Sequence, residues 1–405
     1  MDTKSGYPFW VLANGLLPTY PRIEDDERCD VAIIGGGITG ALIANELSQH
    51  GHDVVVIEQR DIGWGSTAAS TAMLQYEIDE HMRDLADRYD EMTAALAYTT
   101  CAEAVEGLIA MGKSLGDVGL KSTSSVYLAS SPKHLERFAE EQTIRKRYGL
   151  PSRFLDAAEV LERFEIKAPG ALYSPLAGVV DPYRFTCRLL ARVHRRGARI
   201  YDRTRIEKMD ATSRGVTLYS DQGCKVRAGH LVIAAGYAGQ KWLPERVAAN
   251  RSSYAVVTDP LDQADLKKLS RAIFWESARP YHYLRTTTDH RLIIGGEDDK
   301  IDIPAQRDKR VHKRAKLLYE YAQELFPSLT LTPAFAWAGT FAETEDGLPF
   351  FGAHDKVGPR VLFAMGYGGN GITYSYLGAG VLRALIEKQP HQLKQLYSFD
   401  RLARR

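Results

Sequence analysis

Residues Cys29 to Glu58, CDVAIIGGGITGALIANELSQHGHDVVVIE, constrain this chain more than any other stretch. Val31 to Ile34 is an unbroken apolar run, as expected of a strand buried on both faces. Gly35, Gly37 and Gly40 follow at G-x-G-x-x-G spacing. The first glycine permits a tight turn, the second lets backbone approach a pyrophosphate, and the third lets a helix pack close to the strand. The helix that follows points its free N–H groups and positive dipole end at the phosphates, and Ile38 and Thr39 join the expected cofactor-binding set. Val54 to Ile57 form a second strand, and Glu58 lies 18 positions past Gly40. A carboxylate there accepts from ribose hydroxyls, with Gln59 beside it. The alternative, a glycine-rich turn in an unrelated α/β protein, leaves the flanking strands and the acid unexplained.

At 405 residues the chain is long enough for about two domains. Its net charge of +1 recruits neither nucleic acid nor an anionic membrane. The four cysteines are far apart, with no C-x-x-C, which argues against a disulfide framework or a zinc site. No metal is expected, and a reducing cytoplasm is. MDTKSGYPFW carries no basic-then-apolar signal pattern. Val361 to Leu382 is uncharged and long enough to span a bilayer, but it holds many glycines plus Asn370, Thr373 and Ser375. It reads as a buried loop and helix, so no transmembrane segment is expected.

Residues 1–28 form a polar arm with Phe9, Trp10 and Tyr20 as anchors. Arg60 to Thr71 is a small-residue loop. Ile78, Met82, Leu85, Tyr89, Met92 and Leu96 recur at helical spacing and predict one long amphipathic helix. Asp181 and Pro182 are an N-cap and first-turn proline for another. His230 to Ala235 is a second fully buried strand, closed by Gly236. From Arg251 to Pro333 the segments alternate, which predicts an antiparallel sheet, followed by a helix carrying Val311, Ala315, Leu318 and Ala322. Its basic stretch, RDKRVHKRAK, reads as a solvated face rather than a nucleic-acid site. Nucleotide-type segments thus occur early, in the middle and at the end. The expected architecture is a discontinuous Rossmann-like α/β domain of residues 1–85, 165–248 and 336–405. An α+β cap of residues 86–164 and 249–335, built on the antiparallel sheet, would carry the substrate.

Four features then fall in order: Gly65-Ser66-Thr67, Ala234-Ala235-Gly236, Thr344-x-Asp346-Gly347-x-Pro349-x-x-Gly352, and Gly366-Tyr367-Gly368-Gly369-Asn370-Gly371-Ile372. This order resembles the flavin-dependent D-amino-acid oxidase superfamily, which includes glycine and sarcosine oxidases, D-amino-acid dehydrogenase and γ-glutamylputrescine oxidoreductase. The resemblance implies FAD. It places Gly65, Ser66, Thr67, Asp346, Gly369, Asn370, Gly371 and Ile372 near the ribityl chain or ring, and adds Ile206, Ala235, Gly236 and Gly339 to the cofactor set. Gly339 stands where sarcosine oxidases carry a flavin-bonding cysteine, and GSTAAST has no histidine, so the FAD is expected to be non-covalent. Ile293 falls where monomeric sarcosine oxidases place an oxygen-activating lysine, which speaks against fast oxidase activity.

Enzymes of this type remove hydride from the carbon bearing an amine, and the resulting imine hydrolyses. No general base is strictly required if the amine binds unprotonated, so the lack of a Ser/His/Asp or metal constellation is no objection. Arg285 is the candidate for a substrate carboxylate, because a guanidinium fork matches one. A strand-surface salt bridge is its alternative. Tyr254 and Tyr283, with Tyr367, are candidate pocket walls, although packing explains each equally well. His282 reads as a satisfied edge histidine. The expected partners are a small amine or amino acid and an electron acceptor, oxygen or another. Two alternatives remain: a 2-hydroxy acid or polyol dehydrogenase, and a non-catalytic flavoprotein that acts as a partner.

Overall fold

The apolar run at Val31 becomes the centre of a parallel sheet. The computed structural model describes residues 2–15 and 19–404. Glu27–Ile34 lies between Val54–Ile57 and Lys225–Ile233, with Val361–Met365 and Arg199–Tyr201 outside them, all parallel. Phe350–Ala353 adds an antiparallel edge, and Ile206–Ala211 with Val216–Ser220 form an antiparallel flap on Lys225–Ile233. The second buried strand expected at His230 therefore sits beside the first. Helix Ile38–Gln49 packs between Pro182–Arg195 and Gly371–Ile386. Its close approach needs Gly40: a Cβ there would lie 1.8 Å from the Gly35 carbonyl oxygen.

Among the described residues the second sheet has ten strands. It runs Lys4–Gly6, Pro333–Glu343, Ala249–Thr258, Leu292–Asp299, Tyr283–Thr286, Ala272–Glu276, Lys121–Leu128, Gly170–Val179 and Met73–Gln75, with Arg153–Asp156 also on Gly170–Val179. Its neighbours are antiparallel, as the alternation implied, except that Ala272–Glu276 runs parallel to Lys121–Leu128. Helix Pro304–Leu325 covers its outer face with Val311, Ala315, Leu318 and Ala322 buried.

These pairings move the expected domain boundaries. Gly170–Val179 and most of Pro333–Glu343 fall within the ranges expected for the nucleotide domain, 165–248 and 336–405, but both strands belong to the cap sheet. Helix Glu91–Ser114, expected in the cap, instead packs on Gly371–Ile386 and shares a core with helix Ile38–Gln49. The single helix expected from Ile78 is two, Met82–Arg88 and Glu91–Ser114. Asp90 breaks them by capping the second, its carboxylate accepting from Thr93 N. Val361 to Leu382 holds a buried strand, a glycine turn and the start of a helix. Among the described residues no helix is long and apolar enough to cross a membrane.

The N-terminal arm is more than a polar lead-in. Phe9, Trp10 and Tyr20 are buried, as their apolar faces suggested. Lys4–Gly6 is an edge strand on Pro333–Glu343. Arg307 holds it there. This one arginine of the basic stretch is fully buried, whereas Lys309, Lys313 and Lys316 are exposed. It donates to Ser5 Oγ and Thr340 Oγ1 at 2.7 Å, and to the Asp2 and Lys4 carbonyls at 3.1 Å. Hydrogen bonds from a charged donor are each worth about 1.5–3 kcal/mol. Arg307→Ala is therefore expected to release the arm and speed tryptic cleavage after Lys4 by more than about tenfold. An unchanged cleavage rate would show that the strand pairing alone holds it.

Candidate active site

A cleft of about 2090 Å³, counting its open mouth, lies between the two sheets. Its deep end is built from the ends of the parallel strands. Gly35, Gly37, Ile38, Thr39, Glu58, Gln59, Ile206, Ala235 and Gly236 all line it. Gly37 N-caps the helix, and Ile38 N donates to Thr67 Oγ1 at 3.0 Å, which ties the helix start to the small-residue loop. Glu58 ends its strand with Oε2 accepting from Gly36 N and Oε1 from Arg60 N, each at 2.9 Å. The carboxylate is thereby fixed in direction, and each oxygen retains acceptor capacity. Thr3 Oγ1 and Arg60 Nε, on two residues of the lining, are buried polar atoms with no partner in the protein. Such atoms fit a polar cofactor that completes them.

The middle of the cleft is walled by backbone of small residues. Gly65, Ser66 and Thr67 lead into a short helix, Ser66–Ala69, locked from behind by Trp337 Nε1 donating to Ala69 O at 2.8 Å. Gly339 faces the same helix. Opposite, Gly369, Asn370, Gly371 and Ile372 form the turn into helix Gly371–Ile386. Asn370 Nδ2 donates to Glu77 O at 2.8 Å, and Gly369 N donates to Asp79 Oδ2 at 2.7 Å. The helix N-terminus therefore opens on the cleft, where it stabilises negative charge. No cysteine or histidine is among the described residues lining the cleft, so nothing of that kind is placed to bond a cofactor covalently. The described residues also hold no cluster of three or more His, Cys, Asp or Glu suited to a metal.

The cap end carries Ser253, Trp275, Arg279, Tyr281, Tyr283 and Asp298, with Asp79 from the facing segment. The Tyr281 and Tyr283 rings are 5.7 Å apart, and the Tyr283 hydroxyl meets Ser253 Oγ at 3.3 Å. Asp298 Oδ1 is buried without a partner. Burial pushes the Asp298 carboxyl up to about 7, against a hydrogen bond from Ser253, with Glu343 and Asp79 adding to the rise. Burial likewise raises Asp79, opposed by the Gly369 N–H and Arg279. A carboxyl raised in the folded state favours folding while it is protonated. That contribution is complete below about pH 4 and is lost as pH rises through about 7. Asp298→Asn is therefore expected to raise the melting temperature at pH 8 more than at pH 5. Equal shifts at the two pH values would show that Asp298 is ionised throughout.

Three expected site residues lie outside the lining, and a fourth, Tyr254, borders the cleft with its hydroxyl turned away. Arg285 is not in the lining. Its Nη1 donates to the Ala72 and Val180 carbonyls at 2.9 Å, and its guanidinium stacks over Trp10 at 5.0 Å. Buried behind the wall, with its pKa lowered to about 9 by that burial, it braces backbone rather than meeting a carboxylate. Tyr254 borders the cleft, but its ring packs in the cap core and its hydroxyl donates to Asp299 Oδ2 at 3.0 Å. The neighbour that reaches the tyrosine wall is Ser253. Asp346 is buried away from the cleft, pairing with Arg401 Nε at 2.7 Å and accepting from the Tyr89 hydroxyl at 2.5 Å. Gly40 shapes the helix packing without lining the cleft. Tyr283 and Tyr367 do line it, and His282 is a satisfied edge histidine between Glu276 and Glu297. Asp79, Arg279 and Asp298 were missed. Only the doubled glycine before Asp298, in IIGGEDD, hinted at an irregular strand.

Comparison with known proteins agrees with this geometry. A family model described as FAD dependent oxidoreductase (DAO) matches residues 30–385. The glycine oxidase of Geobacillus kaustophilus is 28% identical over 374 residues, covering 89% of this chain and 94% of its own. The gamma-glutamylputrescine oxidoreductase of Escherichia coli is 25% identical, covering 92% and 87%. Among solved structures, L-proline dehydrogenase from P. horikoshii superposes with a TM-score of 0.78 at 20% identity, covering 94% of this chain and 99% of that one. That last likeness speaks to the fold alone. The family match spans both the glycine cradle and the second glycine turn, the two walls between which a flavin dinucleotide fits: the chain belongs to the DAO family of FAD-dependent oxidoreductases.

Proposed function

We propose that the protein oxidises the carbon–nitrogen bond of a small amine or amino acid to an imine, which water then hydrolyses. The observation that carries this reading is the meeting, on one cleft, of the glycine-walled cofactor site with a wall of tyrosines and carboxylates. The relatives named glycine oxidase and gamma-glutamylputrescine oxidoreductase support it, since both are named for nitrogen compounds. FAD, when bound, supplies the acceptor for the hydride, and it is held without a covalent bond. The chain's residues do the rest. Gly37 and the helix behind it hold the pyrophosphate, and Glu58 orients the ribose. The N-terminus of helix Gly371–Ile386 favours the negative charge that develops on reduction. Trp275, Trp337 and Tyr283 line the inner cleft with rings that exclude water. Asp79 and Asp298 oppose an anionic hydroxy acid or phosphorylated polyol by like charge. The reoxidant is oxygen or another electron acceptor; Ile293 is buried in the core and brings no cation to the cleft.

The test is an absorbance spectrum of the purified protein, followed by anaerobic addition of amines, amino acids and hydroxy acids. Bleaching of the flavin bands by a nitrogen compound is the expected result. Bleaching by hydroxy acids alone would overturn the reading. Readmitting air then distinguishes oxygen from another acceptor.

A further inference from the structure

The cap end of the cleft has a charge balance that narrows the substrate, given the amine-oxidising reading above. Its acids are Asp79 and Asp298, and both face the space between Tyr281, Tyr283 and the glycine turn. Glu343 adds negative potential beside Asp298 but is itself paired to Arg251 at 2.8 Å. One cation, Arg279, lies at this end of the lining. It is exposed, with its guanidinium over the Tyr281 ring at 4.9 Å and its Nη2 only 3.4 Å from the Asp79 carbonyl. The other lining cations, Arg60, Arg205 and Lys241, lie with Glu58, Thr204 and Gly236 at the nucleotide end.

Asp79 has its donors: Gly369 N at 2.7 Å and the Tyr281 hydroxyl. Asp298 does not. Ser253 lends it a hydrogen bond, yet Oδ1 is buried with no partner. A buried carboxylate oxygen without a donor is costly unless a ligand supplies one. The donor that suits it is an ammonium, and the Tyr281–Tyr283 pair walls the same end of the cleft without bringing a cation of its own. Arg285, the buried arginine of the neighbouring strand, donates Nη1 to the Ala72 and Val180 carbonyls and does not line the cleft, so it brings no fork for a carboxylate there.

We propose that the cleft selects amines that carry no carboxylate on the reacting carbon, with the substrate's ammonium held on Asp298 and Asp79 beside Tyr281 and Tyr283 and giving one proton to the Asp298 carboxylate before the carbon is oxidised. α-Amino acids are then poor substrates, because their carboxylate would enter a space bounded by two acids. Alkylamines, diamines and amines whose acidic group lies several bonds away, within reach of Arg279 at the mouth, are favoured.

The test uses the flavin-loaded protein at pH 8. Calorimetric titration with tert-butylammonium, whose nitrogen-bearing carbon has no hydrogen and so forms no imine, is expected to show saturable binding, and titration with acetate is expected to show none. Asp298→Asn should weaken tert-butylammonium by about tenfold or more, as loss of one charge-assisted hydrogen bond implies. Acetate binding tighter than tert-butylammonium in the wild-type protein would overturn the proposal without need of any variant. In the anaerobic panel, bleaching by α-amino acids but not by amines would overturn this inference and leave amine-type oxidation standing. Saturable cation binding, with no nitrogen compound bleaching the flavin, would uphold the cation site and sink the oxidative reading instead.

Discussion

Gly37→Val is expected to yield a folded protein that purifies without flavin. Gly37 caps helix Ile38–Gln49 and lines the deep end of the cleft. A Cβ at this position would already lie 3.0 Å from Thr67 Oγ1, the atom that accepts from Ile38 N. An isopropyl group has two further carbons, and the remaining free direction is the path of the pyrophosphate. The backbone at Gly37 is not left-handed, so the helix itself tolerates a side chain. The loss should therefore appear in the flavin-to-protein absorbance ratio, with far-UV circular dichroism unchanged. A variant that retains one flavin per chain would remove Gly37 from the pyrophosphate site. Gly40 makes the contrasting control. Its Cβ would collide with the Gly35 carbonyl, so Gly40→Val should impair folding as well as loading.

Glu141→Ala carries the second large effect, expected on stability. Arg145 is fully buried, with its guanidinium packed near the rings of Tyr76 and Tyr98 at 5.7 and 5.4 Å. Its Nε donates to Glu141 Oε1 at 2.8 Å, while Nη1 and Nη2 have no hydrogen-bond partner. Glu77 Oε1 stands 3.8 Å from Nη1, but burial raises the Glu77 carboxyl, whereas Glu141 is held below its usual range, its burial outweighed by Arg145. Glu141 is thus the anion on which Arg145 depends. It also accepts from Met82 N at 3.0 Å and Arg83 N at 3.1 Å, and so anchors the start of helix Met82–Arg88. Removing one partner of a buried pair typically costs about 3–5 kcal/mol. Urea unfolding is expected to show a loss in that range. The same segment carries Asp79 and the Glu77 carbonyl that holds Asn370, so flavin should also be released at lower urea than in the wild type. A loss below about 1 kcal/mol would mean that Arg145 finds other partners once the carboxylate is gone.

The cofactor half of the site was largely legible in the sequence. Its residues act through backbone, and backbone demands leave marks: glycine where a phosphate or a helix must come close, an acid at the end of the second strand, small residues where a chain runs beside a ring. Such marks depend on local spacing, so they survive without knowledge of the tertiary fold. The helix break at Asp90 was less visible because the apolar period runs straight through it; the capping carboxylate competes with the continuing helix. The edge strand Lys4–Gly6 was invisible for another reason. Three polar residues carry no alternation, and their place in the sheet depends on Arg307, some three hundred residues away.

The cap end of the cleft was decided by tertiary structure, and Asp298 shows why. Pairing runs from Tyr254 opposite Gly296 to Ser252 opposite Asp299, so strand Leu292–Asp299 carries one extra residue there. Ile294 faces the cap core and Ile293 the nucleotide side. Strict alternation would turn Asp298 into the cap core with Ile294. The bulge, with Gly296 at φ +136° and Glu297 at φ +56°, reverses the faces, sending Asp298 into the cleft and Asp299 to the Tyr254 hydroxyl. Arg285 is the opposite case. It has the residue type and the strand for a carboxylate site, yet it packs over Trp10 and gives Nη1 to two carbonyls from distant segments, behind the cleft wall. The sequence by itself determined the nucleotide unit, the flavin-type glycine turns and the presence of an antiparallel cap, because each is written in local spacing. Which charged side chains face the cleft is set only by the bulge and by contacts between remote segments, since a shift of one residue moves a strand side chain from one face to the other.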